Sequence, residues 1–265
     1  MTAIRRGKAR LALAALVAAL LALAGTASAV RDIERVELIA GNLKIVGHGG
    51  FRPETLPKYH DAPIELYGGG KLSTISGDYP PVLKTLTFEF DKHGSVDTTG
   101  LPVCTARKLQ ATDVPAARRA CPGAIVGEGV GSAIVLFNEQ APISISSPIT
   151  LFNGPKVRGF DSVLAHAYTN VPVATTFIVP VVIEKIHKGV YGYRTEATIP
   201  PIAGGAGIPI SGSITVGRKW TYKGKKHSYI NARCETGHLQ ARGKFGFKDG
   251  TLLTGTFFRP CKVAK

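Results

Sequence analysis

The sequence predicts an all-β protein, an antiparallel β-sandwich or partly closed barrel with one short helical segment between Cys104 and Cys121. Three observations predict it. Apolar and polar residues alternate with a period of two along many short stretches. Clusters of Gly, Pro and Asn separate those stretches, and 31 glycines with 17 prolines supply the corners that so many short strands need.

Residues 43–46 and 64–67 are the first strand candidates, and Gly68-Gly69-Gly70 reads as a turn after the second. In the next, Leu86, Phe88 and Phe90 point one way while Thr85, Thr87 and Glu89 point the other, and Asp91-Lys92-His93-Gly94 closes the strand. The helical interval follows. Thr112-Asp113 can cap a helix whose first turn accepts Pro115, residues 116–120 are good helix formers, and Cys121-Pro122-Gly123 stops it.

Strand candidates then recur at residues 124–137, 143–146, 149–152, 163–168, 175–186, 190–199, 208–216 and 228–234. Turns are expected at Asn153-Gly154-Pro155, Lys188-Gly189, Gly204-Gly205 and Lys223-Gly224. The last pair is the clearest. Leu239, Ala241, Phe245 and Phe247 share one face, Gln240, Arg242 and Lys244 the other, and Asp249-Gly250 favours the positive φ angles of a tight hairpin back into residues 252–258. No internal repeat or long linker interrupts the pattern, so residues 30–265 are read as one domain.

Composition needs a correction before it is used. The chain has 265 residues, 33 Lys+Arg and 18 Asp+Glu, a formal charge of +15. Its first 29 residues have the form of a cleaved export signal: Arg5, Arg6, Lys8 and Arg10, an apolar run from 11 to 24, and Ala27-Ser28-Ala29 as the cleavage site. That run is shorter than the roughly 20 residues that span a bilayer. Without the signal 29 basic residues remain against 18 acidic ones, a net +11. The flanks of Arg5-Arg6 fit the general secretory route better than a twin-arginine signal, and the chain is expected to be secreted, extracellular or associated with the cell envelope, with no membrane-spanning segment after cleavage.

All four cysteines lie beyond the signal, where an oxidising compartment lets disulfides persist. Of the three possible pairings, spacing favours Cys104 with Cys121 and Cys234 with Cys261. A zinc site is disfavoured, because no Cys-x-x-Cys pair occurs and His227 and His238 sit at no usual ligand spacing. If Cys234, His238 and Cys261 ended three neighbouring strands, the two cysteines would stand about 9.6 Å apart, beyond the roughly 7 Å a disulfide allows. The strand ends must curl together, or the chain must pair elsewhere.

The run Phe88-Glu89-Phe90-Asp91-Lys92-His93-Gly94, then Leu101-Pro102-Val103-Cys104, then Cys121-Pro122 leading into Val126-Gly127-Glu128-Gly129, resembles a group of uncharacterised exported β-rich proteins of actinobacteria. Residues 223–229, Arg233-Cys234 and the closing Cys261 extend the likeness. The resemblance implies export, a β architecture and the cysteine framework, and it carries no activity.

The densest candidate site is Arg218, Lys219, Trp220, Tyr222, Lys223, Lys225, Lys226, His227 and Tyr229. These residues read as a hairpin with residues 223–226 at its tip. Its cations suit an anionic polymer and its rings suit stacking. The plainer reading has the lysines decorating a solvated turn while Trp220 and Tyr229 pack inward.

Other constellations are weaker. Asp91, His93 and Asp97 match no strong metal motif. Asp161, Ser162 and His166 lack a Gly-x-Ser-x-Gly elbow. Glu184 is expected opposite Tyr193 and so apart from Glu196. Gly127-Glu128-Gly129-Val130-Gly131 leads into a β run, so it offers no helix N-terminus to phosphate and marks a bent strand or close strand packing. The loop Ile202-Ala203-Gly204-Gly205-Ala206-Gly207-Ile208 has the composition of a turn more than of a pocket edge.

No catalytic, cofactor or metal assignment follows. The expectation is a non-enzymatic binding or structural envelope protein, its partner an anionic cell-wall polymer or acidic surface rather than nucleic acid. The competing expectation is a hydrolase or isomerase whose site assembles from distant strands, with His166, His187 or His238 as base. A deep pocket joining a histidine and a carboxylate would favour the enzyme, and charge confined to one face would favour binding.

Overall fold

A computed structural model describes residues 35–264; the expected export signal at residues 1–29 lies outside them. Along the chain come β1 (Arg35–Ala40), β2 (Leu43–Arg52), β3 (Thr55–Leu56), β4 (Ala62–Pro63), β5 (Glu65–Thr74), β6 (Leu83–Asp91) and β7 (Gly94–Val96). Two short helices follow, α1 (Ala106–Leu109) and α2 (Val114–Ala120). Then come β8 (Ile125–Val135), β9 (Ile143–Asn153), β10 (Asp161–Thr169), β11 (Thr175–Lys188), β12 (Tyr191–Thr198) and β13 (Gly207–Val216). The chain finishes with β14 (Lys219–Tyr222), β15 (Lys225–Ser228), β16 (Ile230–Ala232), β17 (His238–Phe247), β18 (Leu252–Pro260) and β19 (Lys262–Val263).

Twelve of these strands form one antiparallel sheet in the order β1-β2-β5-β13-β8-β9-β10-β11-β12-β6-β17-β18. The sheet curls until its two edge strands meet. Leu38 of β1 packs onto Gly255 of β18, where a Cβ would overlap its side chain, and Phe257 lies against Gly47 of β2. The result is a nearly closed barrel whose seam is made by side chains, a way of covering edge strands that would otherwise template aggregation.

Period-two patterning explains the interior. Leu43, Ile45, Leu72, Phe247 and Leu253 pack together on the inner face beside the seam. Leu151, Val163, Ile183 and Val216 continue that face under Leu101 and Tyr229, which come from the segments crossing it. On the opposite face α1 and α2 lie over Phe152 and Leu164, burying Leu109, Ala117 and the Cys104–Cys121 disulfide. The expected cap is present: Asp113 Oδ1 accepts from the Ala116 N–H at 2.7 Å, at the N-terminus of α2.

Both disulfides pair as the spacing suggests, with Cα separations of 5.7 Å for Cys104–Cys121 and 5.9 Å for Cys234–Cys261. The three-strand arrangement that would have kept Cys234 and Cys261 apart does not occur. Residues 230–232 leave the large sheet and pair with β4 and β7 instead, so Cys234 approaches Cys261 from a separate small sheet.

Two other expectations change. Gly68-Gly69-Gly70 is no turn but the middle of β5, facing Gly47, His48 and Gly49 on one side and Gly212 and Ser213 on the other. Runs of glycine read as corners by composition, yet here they let neighbouring backbones lie close. The candidates at 143–146 and 149–152 are one strand, β9, carried through Pro148. Among the described residues no helix is long and apolar enough to cross a membrane.

Candidate functional site

The Lys223-Gly224 turn has φ of 48° and 75°, the double positive φ of a two-residue hairpin. It sets β14 against β15 with Trp220 opposite His227 and Tyr222 opposite Lys225. These four share one face. Lys219, Thr221, Lys226 and Ser228 share the other.

The first face clamps the hairpin to residues 97–100. His227 Nδ1 lies 2.7 Å from Asp97 Oδ2, the Trp220 indole N–H donates to the Thr99 carbonyl at 3.0 Å, and the indole stacks on the His227 ring at 5.5 Å. Tyr222 covers Gly100, whose φ of 69° and absent Cβ leave room for the phenol ring. Burial alone would raise the pKa of Asp97, but hydrogen bonds from His227 and Thr99 outweigh it and hold the carboxyl below its ordinary value.

Several predicted binding residues are therefore spent on the fold. Arg218 Nη1 donates to the Ile125 and Pro122 carbonyls at 2.7 and 3.3 Å. Tyr229 is buried, its hydroxyl without a partner, and burial together with the charge of Asp161 pushes its pKa up. Trp220 and His227 face the clamp. What stays outside is Lys219, Lys223, Lys225 and Lys226, with Tyr222 37% exposed beneath Lys223, whose Nζ lies 5.4 Å from its ring centroid. None of the four lysines is ion-paired with a described residue.

The other candidates come apart or take structural roles. Asp97 lies with His227, while His93 sits between Asp91 and Glu235, with Nδ1 2.8 Å from one carboxylate and Nε2 3.0 Å from the other. The Nδ1 contact is off-line for a hydrogen bond. Arg233 joins Glu235 to Asp61 and completes a polar knot beside the Cys234–Cys261 disulfide. Among the described residues no group of His, Cys, Asp and Glu is placed to hold a metal ion.

Asp161, Ser162 and His166 each bond elsewhere, to Lys156 and Thr98, to the Pro155 carbonyl and to Thr112. His187 is exposed, and His238 leans on Phe258. Glu184 stands opposite Arg194, with Lys185 opposite Tyr193, because the turn falls at Gly189-Val190 rather than Lys188-Gly189, which shifts the pairing by two, and a bulge between 185 and 188 takes back one. Glu196 pairs with Val182, so the two glutamates do remain apart. In the glycine run of β8 a Cβ on Gly127 or Gly129 would overlap a carbonyl of β13, which is the close strand packing expected there.

Sequence reasoning missed one constellation. Glu184, Arg194, Glu89 and Arg242 stand side by side on β11, β12, β6 and β17, an alternating row across four strands. Glu89 has no exposed surface; Arg242 Nε reaches one oxygen at 2.6 Å and Arg194 Nη2 the other at 3.1 Å. Burial opposes ionisation of Glu89, and the two guanidiniums overcome it, so its pKa lies below the ordinary value. Arg242 also covers the Tyr191 ring. Every charge in the row is answered by its neighbour, which makes it a stitch between strands. The chain matches no family model, no curated protein and no solved structure.

Proposed function

We propose that the protein is an exported, non-enzymatic binding or structural component of the cell envelope that engages an anionic polymer through the β14–β15 hairpin. One observation carries this reading. Four lysines, free of acidic partners among the described residues, project from a hairpin that Asp97, Thr99 and Gly100 hold rigid. A rigid presentation lowers the entropic cost of binding, and exposed ammonium groups suit phosphate or carboxylate chains.

Stacking is a smaller part of the interaction than the aromatic content of this segment suggests. Tyr229 is buried, Trp220 is half-buried with its ring stacked on His227, and Tyr222 is the most exposed of the three rings. That favours a charge-dense polymer over single-stranded nucleic acid, whose binding draws on ring stacking. Two disulfides and the likeness to exported actinobacterial proteins support placement outside the cytoplasm. Amino-terminal sequencing of the mature protein tests that placement, with Val30 as the expected first residue.

Chromatography on immobilised heparin, used as a model polyanion, tests the site. Wild type should elute late in a salt gradient, and the variant with Lys219, Lys223, Lys225 and Lys226 all changed to Gln should elute at distinctly lower salt. Identical elution of the two proteins would remove the hairpin from consideration.

A further inference from the structure

The inner face of the barrel is apolar and is not filled. By register Ile145 and Ile149 of β9, Phe177 and Val179 of β11, and Leu86 and Phe88 of β6 all point inward. Every one of them is only half-buried. On β13 Ile214 shares the inward side with the buried Val216, yet it is 41% exposed. In β10 the usual order is inverted: Leu164 and His166, which point outward under the helical segment, are buried, whereas the inward Ala165 and Ala167 keep accessible surface. Side chains lining a close-packed core do not behave in this way.

The wall made by β5, β13 and β8 is largely bare backbone. A Cβ added to Gly68, Gly131 or Gly212 would meet an adjoining strand and nothing else within 4 Å. The strand number explains the room. About eight strands make an interior that side chains just fill and about sixteen enclose a water channel; the twelve of this sheet fall between.

The space has a floor and a mouth. At one end Leu101, Tyr229 and Trp220 lie across it, packed on Leu151, Val163 and Val216. The other end is ringed by the loops at residues 75–82, 136–142, 170–174 and 199–206, where Ile75, Tyr79, Val171 and Val173 are exposed. Among the described residues no inward position between the two ends carries a charge; the inward Asp161, Lys185 and Arg259 lie at the floor end. The outer face is the polar one, with Lys71, Ser144, Ser146, Glu196 and Thr254 exposed. That order is the reverse of a membrane-spanning barrel, which is apolar outside and polar within.

We propose that the barrel holds a single long alkyl chain, the tail of a fatty acid or of a monoacyl lipid, with its polar head at the mouth. An uncharged apolar space closed at one end suits a molecule with no polar group along its length and one polar end to leave in water. The exposed apolar residues of the rim give such a tail a path in from a membrane or micelle. The site is independent of the basic hairpin, which is clamped at the floor end.

Dansylaminoundecanoic acid is a suitable probe, because its emission rises and shifts to the blue in an apolar site. It is titrated into the secreted, disulfide-bonded protein after carried lipid has been stripped on a hydrophobic resin. Saturable enhancement is expected, reversed by palmitate and at least about tenfold less well by decanoate, since each further buried methylene adds to binding. Displacement by palmitate alone would identify a free fatty acid as the ligand, and displacement by lysophosphatidylcholine as well would identify the acyl tail whatever its head. Ile145→Trp fills the space and should weaken the probe at least about tenfold, whereas Ser144→Trp, one residue away on the outer face, should leave it unchanged. Ile214→Phe intrudes less and should weaken the probe at an unchanged melting temperature; it decides the matter if I145W fails to fold. No saturable enhancement, equal displacement by palmitate and decanoate, or inward variants that bind as tightly as S144W would each overturn the proposal.

Discussion

His227 Nδ1 and Asp97 Oδ2, 130 residues apart in sequence, lie 2.7 Å from each other. The contact ties β15 to the loop that leads into the Cys104–Cys121 segment, and through the stacked Trp220 it fixes the direction in which the lysines point. Presentation of the hairpin is thus decided by a residue outside it.

Asp97→Asn keeps the shape of that side chain and removes its charge. The pair is partly open to solvent, so the loss in global stability should be modest, about 1 kcal/mol. Hydrogen exchange is the sharper readout: amides of β14 and β15 should exchange faster in D97N while those of β17 and β18 stay unchanged. Uniform exchange across both hairpins would show that the clamp is not local.

Acid should reveal Asp97 and Glu89 together. Both have folded-state pKa values below their ordinary ones, so each contributes stability that is fully present above the unfolded pKa of about 4 and is lost as pH falls through the folded value. The melting temperature should hold near pH 6 and decline below about pH 4. D97N and E89Q should each flatten part of that decline, and a slope unchanged in the double variant would assign the acid sensitivity to other groups.

Glu89→Gln should be the more damaging substitution. It leaves Arg194 and Arg242 without their shared counter-ion, although both guanidiniums keep some contact with water, which tempers the cost to about 2 kcal/mol. Urea denaturation measures it. Arg242→Lys should recover only part of the stability lost in Arg242→Ala, because an ammonium neither forks onto the carboxylate nor lies flat over Tyr191.

How far the sequence could be read followed the range of the interactions. The β17–β18 hairpin was legible in its strands and in the place of its turn, since alternation and Asp249-Gly250 are local; the turn itself is wider than expected, with positive φ at Gly250 alone, the Phe247 N–H bonded to the Thr251 carbonyl and the Thr251 N–H to Asp249 Oδ1. The α2 cap was legible for the same reason. The row through Glu89 was not, because β11, β12, β6 and β17 are neighbours only after the chain has folded in an order foreign to its sequence. Glu89 by itself looks like any outward residue of an amphipathic strand. For the lysines exposure could be anticipated, as could the inward packing of Trp220 and Tyr229; the loss of Arg218 and His227 to internal contacts could not, since the carbonyls of Pro122 and Ile125 and the carboxylate of Asp97 lie far away in sequence.

The disulfides close loops of 17 and 27 residues, and restricting the unfolded chain makes each worth about 3 kcal/mol on the loop-entropy view. Their removal should nevertheless have different consequences. Cys104 and Cys121 are packed with Leu109, Ala117 and Phe152, so C104A with C121A should loosen α1 and α2 and uncover the face that carries His166 and Thr150. Cys234 and Cys261 are packed with Phe51, Leu56 and Leu239, next to the knot of His93, Asp91 and Glu235. C234A with C261A should therefore release β19 from β3 and speed amide exchange at one end of the barrel. Both variants are separable by hydrogen exchange mapped along the sequence: protection should fall at residues 106–120 in the first and at 55–64, 230–234 and 261–263 in the second. Loss of protection across the whole barrel in either one would mean that the disulfide secures the entire fold rather than its own segment.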